Sequence, residues 1–389
     1  MIIDYRDIDQ RATICWDEDE DSQYGIKLIV GYLIDNVTES VKEGPYLVST
    51  PWWNFIGLTR DINKIALNYK LTSDDINITE KAMELFNKSI RISNSYEAAT
   101  TNIEMPSIQE LKDGLTRRGF QRELTENQLR NVCKIVSLPA AATFSVPGAG
   151  KTTEALAFYY YNADDSDKLI IVAPKNAFAT WEYEKEVCVP DCEDQIIRLV
   201  GGRDNIQALL ARRPRFSIIT YQQLAVVSDL VAAYCAENSS YMFLDESHRI
   251  KSGNGTYAQA CLNLSHLPAG KLILSGTPMP QSDQDMVAQF SFLYPEIPQD
   301  KDNILDLLQS VFVRTTKSEL GLPPLNRVVK SLKMNSAQAQ LYNLMTNALI
   351  RQAAELNRTD SRALRQLGHS IIRLLQFVSN PALLSAELE

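Results

Sequence analysis

One glycine-rich stretch, ATFSVPGAGKT at residues 142–152, has the residue types and spacing that bind the phosphates of a nucleotide. Its apolar start predicts a strand, its Pro and Gly residues predict a tight loop, and a helix is predicted to begin at Thr152. The backbone N–H groups of such a loop point at one spot, and the positive end of the helix dipole faces the same spot. Lys151 can then reach the β- and γ-phosphates, and the Thr152 hydroxyl can bind Mg²⁺. The predicted nucleotide contacts in this loop are Pro147, Gly148, Ala149, Gly150, Lys151 and Thr152.

The stretch departs from the full phosphate-loop pattern GxxxxGK[ST] at its first position, where Ser145 replaces the glycine. The shorter form GxGKT remains. An ordinary glycine turn before a helix would contain the same residues, so the motif alone leaves both interpretations open.

A pair of carboxylates follows another apolar run, in the sequence DESH at residues 245–248. Two carboxylates directly after a buried strand are costly unless they are hydrogen-bonded or serve a purpose. Beside a magnesium nucleotide, Asp245 would hold the metal through water, and Glu246 would orient and deprotonate the attacking water. The alternative is a helix N-cap, in which the carboxylates face the positive end of a helix dipole. The phosphate loop earlier in the chain favours the catalytic interpretation.

The elements that would position these residues are short apolar runs separated by helix-like stretches. Continuous apolarity indicates strands that are buried on both faces, as in a parallel sheet between two layers of helices. The sequence therefore predicts an α/β fold, whose ligands bind beyond the carboxyl ends of the strands. The five runs are residues 142–146, 169–173, 216–220, 241–244 and 272–274.

Residues 1–104 are predicted to form a small α+β module that contains no catalytic constellation. Trp52 and Trp53 could contact a partner, but core packing is the stronger explanation because aromatic side chains are so often buried. The predicted strands are residues 12–16, 26–34 and 46–53, and the predicted helices cover the apolar positions of residues 58–69 and 82–90.

Met105 and Pro106 mark the predicted end of this module. The next segment has Ser107 followed three residues later by Glu110, which is the capping-box pattern of a helix start, and a further helix is predicted near Thr125. The predicted domains are residues 1–104, a nucleotide-binding domain at residues 105–295, and a mainly helical part at residues 296–389.

The composition is that of a globular, acidic chain. Of its 389 residues, 45% are hydrophobic and 22% are charged, which suits roughly two to three domains with sizeable cores. The formal net charge is −9, so any contact with nucleic acid must come from local basic patches.

Cysteine usage and hydropathy indicate a cytoplasmic compartment. The six cysteines are scattered, and Cys188 and Cys192 have no second pair at zinc-site spacing. The opening residues lack the apolar segment of a secretory leader, and the longest apolar run, residues 26–37, is too short to span a membrane.

Six motifs occur in one order along the chain: LTENQ at 124–128, VPGAGKT at 146–152, APKNAFATWEYE at 173–184, TYQQL at 220–224, FLDESHRIKSGNG at 243–255 and LSGTPMPQ at 274–281. Together they resemble the first motor lobe of helicase superfamily two, and within it the Swi/Snf-type ATPases that translocate on double-stranded DNA. Further on, VFVRTTKSELGLPP at 311–324 and IIRLLQFVSNPALL at 371–384 resemble the family's arginine-lysine-LPP segment and its helical passage towards a second lobe.

The resemblance implies a RecA-like P-loop NTPase lobe with ATP and Mg²⁺ as cofactors, and its phosphate loop tolerates the missing first glycine. It also implies roles for residues outside the phosphate loop. These are Gln128 for adenine, His248, Ser275 and Thr277 for coupling the nucleotide state to a second lobe, and Lys175 and Thr220 for nucleic acid.

Basic side chains could add contacts to DNA phosphates, although solvated helix faces would explain them equally well. Those in the predicted lobe are Arg203, Arg212, Arg213 and Arg215, and those in the C-terminal part are Arg358, Arg362, Arg365 and Arg373.

The implied activity is a nucleic-acid-stimulated ATP hydrolase, a translocase on duplex DNA that would suit genome maintenance or antiviral defence. A second RecA-like lobe, in cis or in trans, would supply arginine fingers, and the chain stops at Glu389, where that lobe would begin. We therefore expect a fragment or half of a split motor, which binds ATP but hydrolyses it weakly.

The alternatives are an RNA or single-strand helicase of the same superfamily, and a nucleotide-gated switch that binds a protein partner. Residues 1–104 are the expected contact for such a partner.

Overall fold

The computed structural model of this protein describes residues 1–18, 24–37, 39–72, 74–101, 103–279, 281–298, 303–321, 328–355 and 361–380. The chain divides into two compact units, Met1–Leu322 and Pro323–Glu389. The domain boundaries at residues 104/105 and 295/296 stay predictions. The LPP segment at 322–324 and the end of the helical passage, residues 381–384, lie outside the described residues.

The N-terminal part of the first unit is an α+β arrangement, as predicted. Its strands are β1 (Ile2–Arg6), β2 (Arg11–Cys15), β3 (Val41–Gly44), β4 (Leu47–Pro51) and β5 (Asn77–Ile78), and its helices are α1 (Tyr24–Asn36), α2 (Trp52–Asn68) and α3 (Glu80–Thr101). The sheet order is β3-β4-β2-β1-β5. It is a mixed sheet, because β1 pairs antiparallel with β2 and parallel with β5.

The prediction of a strand at residues 26–34 is wrong, because this run lies inside α1. Its buried residues include Ile26, Ile29, Val30 and Leu33, which share one face at helical spacing. A short, mostly apolar run with some alternation does not separate a buried helix from a buried strand. The strand predicted at residues 46–53 is too long, since β4 ends at Pro51 and the helix begins immediately afterwards.

The second sheet has seven strands, all parallel, in the order β12-β6-β11-β10-β7-β9-β8. Helices flank this sheet, which confirms the predicted α/β fold. The strands are β6 (Ala140–Thr143), β7 (Lys168–Val172), β8 (Ile196–Arg198), β9 (Phe216–Ile219), β10 (Ser240–Asp245), β11 (Gly270–Leu274) and β12 (Phe312–Val313). The helices are α4 (Ile108–Arg117), α5 (Glu126–Ile135), α6 (Lys151–Asn162), α7 (Phe178–Cys188), α8 (Arg203–Leu210), α9 (Tyr221–Glu237), α10 (Thr256–Leu264), α11 (Val287–Leu293) and α12 (Ile304–Gln309).

The five predicted runs correspond to the five interior strands of this sheet, although β6 (Ala140–Thr143) begins and ends earlier than the predicted run 142–146. Every residue of β6, β9 and β11 is buried, which is the burial pattern of strands covered on both faces. The edge strands β8 and β12 were not predicted, because they contain only three and two residues and have no repeating pattern. The capping box of α4 forms as predicted, and α5 begins near Thr125, as predicted, with a capping box that was not predicted.

The N-terminal module has its own core and is joined to the main sheet by polar contacts. Trp52 is fully buried and meets the Tyr5 ring edge-on, with centroids 5.0 Å apart. Tyr5 Oη lies 2.7 Å from His266 Nε2, in the turn before β11. Lys88 Nζ donates to the carbonyls of His266 and Leu267 at 3.0 and 2.6 Å. Trp52 therefore has the core role that its sequence context favoured.

The described part of the second unit is helical. It contains α13 (Ser336–Glu355) and α14 (Ser361–Ser379), which pack against each other. Arg358 and the side chain of Arg362 lie outside the described residues, and Arg365 and Arg373 are exposed on α14. All six cysteines are free, and in the described ranges no helix is long and apolar enough to cross a bilayer.

Candidate nucleotide site and adjacent groove

The phosphate loop, residues 144–150, connects β6 to the N-terminus of α6. Gly148 and Gly150 have φ angles of 85° and 79°, a backbone conformation that favours glycine. Gly150 also lies so close to the Gln128 amide that an added Cβ would collide with it. The helix begins at Lys151, one residue before the predicted start, so the first N–H groups of α6 face the loop.

The loop is held by contacts with its neighbours. Ala149 is buried, and its N–H donates to the Val146 carbonyl at 3.2 Å. Pro147 packs against Gly276 of the SGTP segment, where an added Cβ would come within 3.0 Å of the proline Cδ. These approaches bring the loops after β6 and β11 together at one edge of the sheet.

Lys151 is half-buried and has acidic neighbours. Its Nζ donates to the carbonyl oxygens of Ser145 and Val146 at 2.9 and 3.4 Å. Burial lowers the pKa of Lys151, and the nearby carboxylates of Glu246 and Asp245 oppose that shift. A phosphate would offer the ammonium stronger acceptors than these two carbonyls. Thr152 follows on the first turn of α6 and is also half-buried.

Asp245 ends β10 with both carboxylate oxygens hydrogen-bonded. Oδ2 accepts from Trp181 Nε1 at 3.0 Å, and Oδ1 accepts from the Glu246 N–H at 2.9 Å. The Asp245 carbonyl accepts from Tyr221 Oη at 2.8 Å. Burial raises the pKa of Asp245, so a nearby cation would stabilise its charged form.

The donor set fits a magnesium ion. The Asp245 carboxylate and the Thr152 hydroxyl are hard oxygen donors, which is what Mg²⁺ prefers, and a Mg²⁺ nucleotide site takes its remaining ligands from phosphates and water. Within the described ranges, no group of three or more His, Cys, Asp or Glu side chains could enclose a metal by itself. The two side chains would therefore hold the ion together with the nucleotide.

Glu246 has the left-handed conformation, with φ of 52° and ψ of 51°, and its side chain is 42% exposed. It precedes a one-turn 3-10 helix, Ser247–Ile250, but its side chain makes no capping hydrogen bond to that helix. The capping interpretation therefore does not describe Glu246. Its Oε2 lies 3.4 Å from His248 Nδ1, so the carboxylate faces the open side of the sheet edge next to the histidine.

The three predicted coupling residues lie together. His248 Nδ1 is 3.2 Å from Ser275 Oγ, which also accepts from the Thr277 N–H at 3.2 Å. The N–H of Ser275 donates to the Thr143 carbonyl at 3.1 Å, next to the phosphate loop. Contacts between side chain and backbone thus connect the DESH segment, the SGTP segment and β6.

Gln128 lies beside the loop and caps its own helix. Its Oε1 accepts from the Thr125 N–H at 3.0 Å, which completes the capping box of α5. Its Nε2 is 3.4 Å from the Gly150 carbonyl. The structure therefore brings the predicted adenine residue against the start of α6.

A buried polar cluster beneath the loop was not predicted. Glu154 is fully buried, and its carboxylate accepts from Asn131 Nδ2 at 2.8 Å and from Thr143 Oγ1 at 2.7 Å. Burial raises the pKa of Glu154 to about 7, against these two hydrogen bonds. Thr315, just after β12, completes the cluster through a 3.0 Å bond from Asn131 to its hydroxyl. No sequence signal pointed to Glu154, because a Lys and a Glu three residues apart are typical of an exposed helix face.

Lys175 and Thr220 line one groove of about 910 Å³, at the carboxyl ends of β7 and β9. Lys175 is exposed, while the Thr220 hydroxyl is used to cap α9 by accepting from the Gln223 N–H at 3.1 Å. Sequence reasoning did not assign the other polar and aromatic side chains of this groove, some of which are neighbours of Lys175 and Thr220 and some of which come from other elements. They include Asn176, Arg198, Gln223, Arg249 and Tyr257.

The other arginines considered from sequence lie elsewhere. Arg215 directly precedes β9, so it is at the amino edge of the parallel strands, opposite the phosphate loop, and its guanidinium stacks over the Phe216 ring at 5.3 Å. Arg203 pairs with Asp229, and Arg213 lies 3.6 Å from Glu237. These contacts with protein groups favour a structural role for these arginines over a contact with DNA.

Comparison with known proteins gives a consistent result. A family model described as the SNF2-related domain matches residues 144–304. The human DNA annealing helicase and endonuclease ZRANB3 is 25% identical over 150 residues, which are 38% of this chain and 14% of ZRANB3. The chromatin-remodeling ATPase INO80 of Gibberella zeae is 28% identical over 192 residues, which are 45% of this chain and 10% of INO80.

Among solved structures, the Sulfolobus solfataricus SWI2/SNF2 ATPase core in complex with dsDNA is similar, with a TM-score of 0.44 and 17% identity. The similarity covers 68% of this chain and 60% of that one. The chain spans only a small part of the length of the curated relatives named above.

Proposed function

Because residues 144–304 match the SNF2-related domain and the chain carries a Snf2-type first lobe of helicase superfamily two, we propose that it binds ATP and Mg²⁺ as part of a motor that translocates on duplex DNA. One observation carries the proposal: the phosphate loop, the DESH segment and the SGTP segment converge at the carboxyl edge of one parallel sheet. That edge is where ligands of such sheets bind.

In this proposal each side chain has a distinct task. The loop N–H groups and Lys151 bind the β- and γ-phosphates, while Thr152 and Asp245 hold Mg²⁺, whose charge would polarise the γ-phosphate. Glu246 orients the attacking water and accepts its proton, and its exposed carboxylate at the end of β10 leaves room for a water molecule. Gln128 and the loop residues Pro147, Gly148, Ala149 and Gly150 shape the nucleotide side of the site.

The groove with Lys175 and Thr220 is the proposed DNA contact. It is continuous with the catalytic edge, because Arg249 and Tyr257 follow the DESH segment and also line the groove. Arg249 is exposed, and the groove has both cationic and apolar lining, which suits a phosphate backbone with its sugars. The chain has a net charge of −9, so a local basic groove matters more than the overall field.

The remaining parts of the proposal rest on family likeness. A second RecA-like lobe, in cis or in trans, supplies arginine fingers, so the 389-residue chain alone turns ATP over slowly. His248, Ser275 and Thr277 pass the nucleotide state towards that lobe. The motor works in the cytoplasm, in genome maintenance or in defence against foreign DNA, and residues 1–104 offer a surface to a protein partner.

Calorimetry of the full chain with ATP and Mg²⁺, together with a turnover assay in the same buffer, tests the proposal. We expect binding with slow turnover and stimulation by duplex DNA above that by single-stranded DNA or RNA. Glu246→Gln should keep the binding and lose the turnover, whereas Lys151→Ala should lose the binding.

Stimulation by RNA alone would favour an RNA helicase, and binding without stimulation by any nucleic acid would favour a nucleotide-gated switch. Normal hydrolysis by the Glu246→Gln variant would refute the role given to that carboxylate.

A further inference from the structure

Thr315 is hydrogen-bonded to two successive residues of the phosphate loop. Its N–H donates to Ser145 Oγ at 2.9 Å, and its carbonyl accepts from the Val146 N–H at 3.1 Å. Ser145 and Thr315 are 0% and 1% exposed, so water does not reach these bonds. Position 145 is where the full phosphate-loop pattern has a glycine, and a glycine would leave the buried Thr315 N–H without this acceptor.

Lys151 is hydrogen-bonded to the same two loop residues. Its Nζ donates to the carbonyls of Ser145 and Val146. A bound phosphate would draw the ammonium away from these carbonyls, because it is the stronger acceptor. Ser145 and Val146 therefore lie between the lysine that would bind the nucleotide and the segment that follows β12.

Asn131 makes a second connection to the same segment. Its Nδ2 donates both to Glu154 Oε1, on the first turns of α6, and to Thr315 Oγ1. Glu154 also accepts from Thr143 at the end of β6. Asn131, Thr143, Glu154 and Thr315 are all at least 99% buried, so the start of α6 and Thr315 belong to one enclosed cluster.

The exposed face of α5 holds the segment further along. Arg130 Nη2 donates to the Arg314 carbonyl at 3.0 Å, and Nη1 pairs with Glu319 Oε1 at 2.6 Å. Asn127 Nδ2 donates to the Glu319 carbonyl at 3.2 Å. Residues 314–319 are therefore fixed at both ends to the elements that build the nucleotide site.

We propose that the phosphate loop and residues 314–319 open and close as one cooperative unit, with Ser145 and Asn131 as the positioning residues that join them. A nucleotide bound in the loop then also stabilises the segment that follows β12. The stabilisation of residues 314–319 by a nucleotide rests on the proposed nucleotide binding. The coupling between the phosphate loop and residues 314–319, which we call the joint, does not.

A cooperative unit has a measurable property. The Thr315 N–H exchanges with solvent only when its bond to Ser145 breaks, and in one unit this requires the loop to open as well. A ligand that binds only the closed loop stabilises the closed state by mass action. It must therefore slow amide exchange in the loop and at residues 314–319 by the same factor.

Hydrogen–deuterium exchange of the full chain, read by mass spectrometry on peptides covering residues 142–152 and 311–321, tests the joint. In wild type, saturating ATP and Mg²⁺ should slow both peptides equally. In Ser145→Ala, residues 311–321 should exchange about tenfold faster without ligand, as expected for the loss of one buried hydrogen bond. In that variant ATP should slow residues 311–321 by a smaller factor than the loop peptide, because one of the bonds that join them is lost.

Two further variants separate the joint from general destabilisation. Thr315→Val keeps the N–H bond to Ser145 and loses the bond from Asn131, so its exchange should fall between wild type and Ser145→Ala. Ser217→Ala is the matched control, because the Ser217 hydroxyl is buried in β9 of the same sheet and has no hydrogen-bond partner among the described residues. It should behave as wild type in both peptides.

The outcomes distinguish the joint from the proposed function. If ATP binds and protects the loop but not residues 311–321, the joint is overturned while nucleotide binding stands. If ATP does not bind, the proposed function fails, and the ligand-free comparison decides the joint. Equal exchange of residues 311–321 in wild type and Ser145→Ala would then overturn it, and faster exchange in the variant would support it.

Discussion

The first unit contains two clusters of charged groups, one around the phosphate loop and one where the N-terminal module meets the main sheet. In the junction cluster, the ammonium groups of Lys88 and Lys271 donate to backbone carbonyls, and Glu296 lies near both. Burial lowers the pKa of Lys88 to about 8 and raises the pKa of Glu296. Lys271 and Glu296 are enclosed by protein, at 2% and 7% exposure, and Lys88 is half-buried at the edge of the cluster.

The second cluster consists of the charged groups around the phosphate loop, Glu154, Lys151, Asp245 and Glu246, and it is enclosed only on the side of the core. Glu154 is buried, Lys151 and Asp245 are only partly buried, and the Glu246 side chain is 42% exposed. Their charges face the edge where a ligand would bind. The comparison teaches that a closed cluster contributes to the junction between two parts of a fold, whereas a cluster with an open side leaves charges for a ligand to neutralise.

The largest expected effect is at the junction. Lys271→Met leaves Glu296 buried with less positive charge around it, so unfolding free energy should fall by about 3–5 kcal/mol. Urea denaturation measures this, and ATP affinity should stay at the wild-type value. The double variant Lys271→Met/Glu296→Met should regain most of the loss, because a neutral apolar pair needs no compensation. Equal losses in the single and double variants would mean that the pair does not act as one cluster.

Lys151→Ala should lower ATP affinity and leave the unfolding free energy nearly unchanged, which is the opposite of the effect expected for Lys271→Met. Without the ammonium, ATP affinity should fall at least about 100-fold, or roughly 3 kcal/mol, because a charge-assisted contact to phosphate is lost. Unfolding free energy should change little, since Lys151 is only half-buried and donates to loop carbonyls. Calorimetry and urea denaturation of the same preparation check both statements. A stability loss as large as that of Lys271→Met would remove the distinction between the two clusters.

The pH dependence of stability should reveal Glu154. Its pKa is raised to about 7 in the folded chain, so the folded state keeps a proton that the unfolded state releases above about pH 4.5. Relative to Glu154→Gln, wild type should therefore lose about 2 kcal/mol of unfolding free energy as pH rises from 5 to 8. Urea denaturation at both pH values measures the difference. Glu186→Gln, on an exposed part of α7, is the control and should keep the wild-type pH dependence.

The smallest expected effect concerns the orientation of Asp245. Trp181→Phe keeps an aromatic ring in the core and removes the N–H that donates to the carboxylate. ATP affinity with Mg²⁺ should fall about fivefold to tenfold, or roughly 1 kcal/mol, while affinity measured with a chelator should not change. Trp53→Phe is the matched control, because Trp53 Nε1 has no hydrogen-bond partner in the described parts of the chain. Equal losses with and without Mg²⁺ would indicate a packing effect instead.

Much of this arrangement could be predicted from sequence because it depends on local patterns. The interior strands were recognisable from continuous apolar runs, and the start of α4 from its capping box. The strand predicted at residues 26–34 failed for a physical reason. An apolar run of that length can be buried as a helix or as a strand, and the packing of α1 decided which.

The sequence by itself determined the order of strand, loop and helix, and the residue types at each strand end, because these follow from contacts between neighbours along the chain. Only the tertiary structure decided which polar groups meet. Trp181 reaches Asp245 across 64 positions, and Thr315 reaches Ser145 across 170. Such pairs leave no local pattern, since each partner alone looks like an ordinary core or loop residue, and only the parallel sheet brings them to the same edge.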